Sequence, residues 1–138
     1  AIEAVKSVSD LPVFGSMAFD PAGGDFRTMM GVDVKSAVRA ISSAGADAVG
    51  FNCGTVTLDG YVRLAEKYTE AADGLGLVLF AEMNAGLPEL VDGMAVYKVG
   101  DEEFADTAKK IKALGFSILG GCCGTSPEHI KALAGKLK

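Results

Sequence analysis

The residues best able to do chemistry in this chain are three cysteines. Two stand side by side in GGCCGTSPEHI (Gly120 to Ile130), and one stands alone in GFNCGT (Gly50 to Thr55). Three thiolates brought together suit a zinc ion, because a catalytic zinc takes three protein ligands and keeps a fourth position for water or substrate. Sulfur donors also favour zinc over magnesium or manganese. The glycines at 50, 54, 120, 121 and 124 would let the backbone come close to such an ion. Two other readings stay open on residue type alone. Adjacent thiols can work as a vicinal redox pair, and a buried free cysteine can be no more than a small hydrophobe. An odd count of three cysteines in a chain of 138 residues argues against a disulfide framework.

Other side chains are candidates beside the thiols. Asn84, in EMNAG, could be a weak, displaceable fourth ligand, a donor behind the ligands, or a residue that orders its loop. Glu82 could serve as an acid or base, or be a partnered carboxylate. His129 is the single histidine; it lies at the start of a helix pattern and reads as a packing or surface residue rather than a ligand. Asp20 and Asp25 are substrate-facing or solvated. Met29 and Met30 either line an apolar mouth or pack within their loop. Asp101, Glu102 and Glu103 read as a helix start that complements the macrodipole.

The elements that must position these groups alternate strand and helix. Leu11 to Phe14 reads as a first strand, followed by a Gly-rich loop, PAGGDFRTMMGVD, with Asp33 as N-cap of the next helix. Val34, Ala37, Val38 and Ile41 make a helical stripe that closes at Gly45. AVGFNCG is the second strand, and Leu58, Tyr61, Val62, Ala65 and Tyr68 mark the second helix. LGLVLFAEMNAG holds the third strand, and Phe104, Ala108, Ile111 and Leu114 mark the third helix. FSILGGCCGT is the fourth strand; Ser126 caps the last helix, and Pro127 takes its first position. AIEAVKSV, with apolar residues at 2, 5 and 8 and no cap before them, reads as the tail of a helix whose beginning is missing. Four βα units with continuous apolar strands predict a parallel α/β sheet.

In such sheets functional groups gather at the carboxyl ends of the strands. All three cysteines and Asn84 fall there. Gly45, Gly50 and Cys53 also share their spacing with Gly115, Gly120 and Cys123, a faint internal repeat. Composition is ordinary for a globular domain, with 49% hydrophobic and 22% charged residues and a net charge of -5. No basic stripe supports a nucleic-acid partner. No apolar run approaches the ~20 residues of a membrane span. With no signal peptide in view, a cytoplasmic location is expected.

GFNCGT, EMNAG and GGCCGTSPEHI, in that order, strongly resemble the homocysteine S-methyltransferase domain. The family includes the homocysteine-binding module of cobalamin-dependent methionine synthase and betaine–homocysteine methyltransferase. The resemblance runs from LPVFGSMAFD to the end of the chain. It implies a (β/α)8 TIM barrel of which residues 1–138 would be the C-terminal half, strands five to eight, with the N-terminal half absent. It implies one Zn2+ per chain on Cys53, Cys122 and Cys123, with Asn84 approaching the metal when substrate is away. The implied reaction moves a methyl group to the thiol of homocysteine, giving methionine. Methylcobalamin or methyltetrahydrofolate are the donors it suggests, and VFGSMAFD looks closest to corrinoid-linked members. A corrinoid protein or domain would then be a partner, as would the missing half-barrel or a second copy. The readings that remain beside it are a dithiol redox protein and a non-catalytic, zinc-stabilised half-barrel.

Overall fold

The computed structural model describes residues 1–138. A short helix α1 (Ile2–Lys6) precedes strand β1 (Phe14–Met17), a hairpin of β2 (Asp20–Ala22) and β3 (Asp25–Arg27), and helix α2 (Val34–Ser43). Strand β4 (Ala48–Asn52), helix α3 (Leu58–Ala72) and strand β5 (Val78–Met83) follow. A second hairpin, β6 (Glu89–Val91) and β7 (Met94–Val96), leads into helix α4 (Asp101–Ala113). Strand β8 (Ile118–Gly121) and helix α5 (Pro127–Lys136) end the chain. Strands β1, β4, β5 and β8 lie side by side in that order, every pair parallel. The expected four βα units and parallel sheet are therefore present.

Side chains alternate across the strands, and this decides what each face does. Val49, Phe51, Leu79, Ala81 and Met83 join Val38, Ile41, Tyr61, Leu64, Tyr68, Phe104, Ala108 and Ile111 in one core. The helices cover that face with their apolar stripes. The opposite face carries Phe14, Ser16, Ala48, Gly50, Asn52, Val78, Phe80, Glu82, Ile118 and Gly120, brought into rows by the register. No helix covers it. Phe14 is 49% exposed, Val78 40% and Ile118 39%. The sheet is open, with β1 and β8 as its edges.

The local signals mostly act as expected. Asp33 caps α2 by accepting the Ser36 N–H at 2.8 Å. Thr57 caps α3 in the same way through Gly60. Pro127 opens α5 behind Ser126. Three expectations need correction. The first strand runs from Phe14 to Met17, not from Leu11 to Phe14. Pro12 has no N–H to give a ladder, and the Val13 N–H goes instead to the Asp47 carboxylate at 2.7 Å. Leu11 is left 71% exposed. The opening helix stops at Lys6, so Val8 lies outside its stripe and is exposed. The Gly-rich loop is a hairpin turning at Gly23-Gly24, and a further hairpin turns at Asp92-Gly93. Both dipeptides suit the two-residue turn that joins right-twisted strands.

Candidate metal centre

The three cysteines come together at the carboxyl ends of two strands that are not neighbours. Cys53 follows β4 and the Cys122–Cys123 pair follows β8, with β5 between them. Their sulfurs all lie within 4.8 Å of one another. Cys53 Sγ is 3.3 Å from Cys123 Sγ, and the two neighbouring thiols are 3.9 Å apart. Cys53 and Cys122 are half-buried, whereas Cys123 is exposed, so the cluster has an open side.

The loop carrying Cys53 is held in an unusual shape. Cys53 has φ of 53°, a left-handed conformation that costs a non-glycine residue on the order of 1–2 kcal/mol. Gly54 follows at φ 83°, and a Cβ there would overlap the Phe19 carbonyl. Several bonds fix this shape. The Cys53 N–H donates to the Glu82 carbonyl at 3.3 Å. The Tyr61 hydroxyl donates to the Cys53 carbonyl at 2.9 Å. Asp20 accepts from both the N–H and the hydroxyl of Thr55, at 2.8 and 2.5 Å. The loop carrying Cys123 is tied to β5 in turn: Cys122 N–H donates to the Met83 carbonyl at 2.7 Å, and Ala85 N–H to the Cys123 carbonyl at 2.9 Å. Tyr97 lies over Gly124, leaving no room for a Cβ there.

Crowding sets the electrostatics. Burial, reinforced by the thiols of Cys122 and Cys123, pushes the Cys53 thiol up to about 12. Burial opposes ionisation at Cys122 as well. There the hydrogen bonds from Cys53, from the Cys123 N–H and thiol and from the Asn52 amide outweigh it and lower the pKa. One thiolate is favoured at the expense of its neighbour. Three thiolates this close require a cation between them.

The homocysteine S-methyltransferase family matches this chain over residues 1–137. The chain belongs to that family. It is 31% identical over 125 residues to the methionine synthase of Mycobacterium leprae, a match covering 90% of this chain and 10% of that protein. The methionine synthase of Mycobacterium tuberculosis matches with the same identity and coverage. The chain thus spans about a tenth of the length of these relatives.

Within this homocysteine S-methyltransferase segment the remaining candidates separate. Asn84 is buried, and its amide is engaged by backbone on both sides: Nδ2 donates to the Gly54 carbonyl and Oδ1 accepts the Cys123 N–H, each at 3.1 Å. It stands between the two cysteine loops as a brace. Glu82 is exposed on the uncovered face and makes no ion pair or side-chain hydrogen bond, contrary to the partnered carboxylate expected. His129 is a structural residue, as expected. Nδ1 accepts the Ser126 N–H at 3.2 Å, Nε2 meets the Val99 carbonyl at 2.9 Å, and the ring stands edge-on to Phe104. Asp25 pairs with Lys67 at 3.0 Å, while Asp20 braces Thr55. Met29 and Met30 are 92% and 83% exposed, so neither packs within its loop.

Three residues at the site carry no clear signal in the sequence. Asn52 Nδ2 points at Cys122 Sγ at 4.0 Å, and the Ser16 hydroxyl donates to Asn52 Oδ1 at 2.5 Å. Strand alternation is the one feature that could have placed both on one face. The third, the buried Tyr61, shows in the sequence only as a member of an apolar stripe.

Proposed function

We propose that this chain is the thiol-activating half of a zinc-dependent methyltransferase that converts homocysteine to methionine. One observation carries the reading. In a member of the homocysteine S-methyltransferase family, three sulfurs from two separate strands converge with one side open. Sulfurs on a tetrahedral zinc with ~2.3 Å bonds lie ~3.8 Å apart. The observed 3.3 and 3.9 Å fall to either side of that value.

Cys53, Cys122 and Cys123 would hold one Zn2+ per chain. When bound, the ion supplies the positive charge that keeps a substrate thiol ionised at neutral pH. The chain's own groups do the rest. Asn52 directs an N–H at Cys122 and tempers its charge. The Asn84 and Tyr61 bonds hold the loops at their spacing. The exposed side at Cys123 admits the substrate sulfur. In the reaction the substrate thiol gives up its proton, its sulfur forms the bond to the methyl carbon, and the donor–methyl bond breaks.

The uncovered sheet face and two open edges support a further part of the reading. Residues 1–138 are proposed as strands five to eight of a (β/α)8 barrel whose inner face is the uncovered one. Its other half would come from an N-terminal segment or, less economically, from a second copy. Methylcobalamin or methyltetrahydrofolate would serve as donor through a corrinoid protein or domain, in the cytoplasm.

Zinc per chain is the deciding measurement, on protein purified under reduction and without chelator. A value near one, with homocysteine altering the absorption of a cobalt-substituted sample, supports the reading. A value near zero in the complete protein, with reversible loss of two thiols on mild oxidation, would replace it by dithiol chemistry. A value near one with no response to homocysteine would leave a zinc-stabilised module without catalysis.

A further inference from the structure

A buried phenol joins the two cysteine loops. Tyr61 sits on α3 with no exposed surface, its ring stacked on Phe51 at 5.8 Å and 7°. Its hydroxyl donates to the Cys53 carbonyl at 2.9 Å and accepts the Asn84 N–H at 3.2 Å. Asn84 then continues outward: Nδ2 donates to the Gly54 carbonyl, and Oδ1 accepts the Cys123 N–H, both at 3.1 Å. Three hydrogen bonds therefore lead from the Cys53 carbonyl through Tyr61 and Asn84 to the Cys123 N–H, and a fourth ties Asn84 back to Gly54 beside Cys53. Every polar atom along this path finds a partner.

We propose that Tyr61 and Asn84 form a positioning relay that fixes the separation of Cys53 from Cys123, and so sets the affinity of the sulfur cluster for its metal. The proposal rests on the metal reading above for its consequence but not for its geometry. The physical reason is preorganisation. Cys53 is held in a left-handed conformation that it would not choose alone, and the phenol holds its carbonyl there. Without the relay, the loops after β4 and β8 keep their backbone bonds to the β5 segment but lose the side-chain bridge that sets their separation. Ligand supports of this kind shift metal affinity by roughly 10–100-fold.

The same helix supplies an internal control. Tyr68 is equally buried, and its hydroxyl donates to the Gly50 carbonyl at 2.8 Å, inside β4 and off the relay. Y61F and Y68F each delete one buried phenol hydroxyl and keep the ring. The test measures zinc dissociation constants for wild type, Y61F and Y68F in the complete protein, by competition with a chromophoric chelator. Amide exchange at Asn84 and Cys123 is followed on the metal-free samples. Y61F is expected to weaken zinc roughly 10-fold or more and to speed exchange at Asn84 and Cys123. Y68F should leave both unchanged even where it lowers thermal stability as much. Equal effects of the two variants, or no effect of Y61F on affinity and exchange, would overturn the relay. Should Y61F not fold, N84L cuts the path at its next link, and unchanged zinc affinity in that variant overturns it equally. A wild type that takes up no zinc counts against the metal reading alone, because the exchange measurement still decides the relay.

Discussion

Cys53 is the residue on which most of the site depends, because it alone brings sulfur from β4. Replacing Cys53, Cys122 or Cys123 by alanine is each expected to abolish zinc retention, read as metal per chain after gel filtration. Full zinc in any one variant would remove that residue from the ligand set. Asp20 acts at one remove. Its hydrogen bonds from the Thr55 hydroxyl and N–H lower its pKa below the usual carboxylate value. The folded state therefore binds that proton less readily than the unfolded chain. The stabilisation is present above the ordinary carboxylate pKa of ~3.9 and disappears as pH falls through the lower folded value. D20N should melt below wild type at pH 7, and the gap should close toward pH 3. A gap independent of pH would assign the loss to packing instead. The cysteine pattern is legible in the sequence because thiols at strand ends are rare and chemically specific. The role of Tyr61 is not, because an apolar stripe reports a buried ring and says nothing of where its hydroxyl ends.

At the scale of elements, the sequence is most legible where two signals agree. α2 combines a buried stripe with an Asp33 cap, and α5 combines Ser126 and Pro127, so residue order alone places both helices. β1 departs from its expected position because it is an edge strand with one face uncovered: FGSM pairs with β4 although LPVF is the more apolar run. Pairing there follows the Asp47 carboxylate and the lack of an N–H at Pro12, which hydropathy does not record. The hairpins escape a periodicity argument although Gly-Gly and Asp-Gly are turn signals, because each strand has only three residues. Glycine positions also separate by element. G54A places a methyl against the Phe19 carbonyl at positive φ, and it should destabilise by about 1–3 kcal/mol and weaken zinc together. G135A lies in α5 with open space around it and should stabilise by roughly 0.5–1 kcal/mol with zinc unchanged. Urea unfolding of the two variants checks both signs.

On the scale of the whole molecule, the parallel α/β arrangement is legible, since continuous apolar strands alternate with amphipathic helices. The uncovered face is not legible as such. Val78 and Ile118 read as core residues, yet both are left exposed on the face away from the helices. In a closed barrel that face would be interior. Residues 1–138 made alone are thus expected to self-associate with rising concentration, seen by sedimentation velocity. Serine at Phe14 and Ile118 should return the chain to a monomer without disturbing the helix-side core. A wild-type chain that stays monomeric at high concentration would count against burial of this face.

The sulfurs of Cys53 and Cys123 nearly touch although 70 residues separate them along the chain. In polymer terms, an ion shared between them is a cross-link that closes about half of the polypeptide into a ring. By the chain-entropy argument such a closure is worth on the order of 4 kcal/mol against unfolding, a large share of the stability of an ordinary domain. The metal that would activate a substrate sulfur would then also keep β4 and β8 from parting, and its removal would lower the stability of the fold without abolishing it.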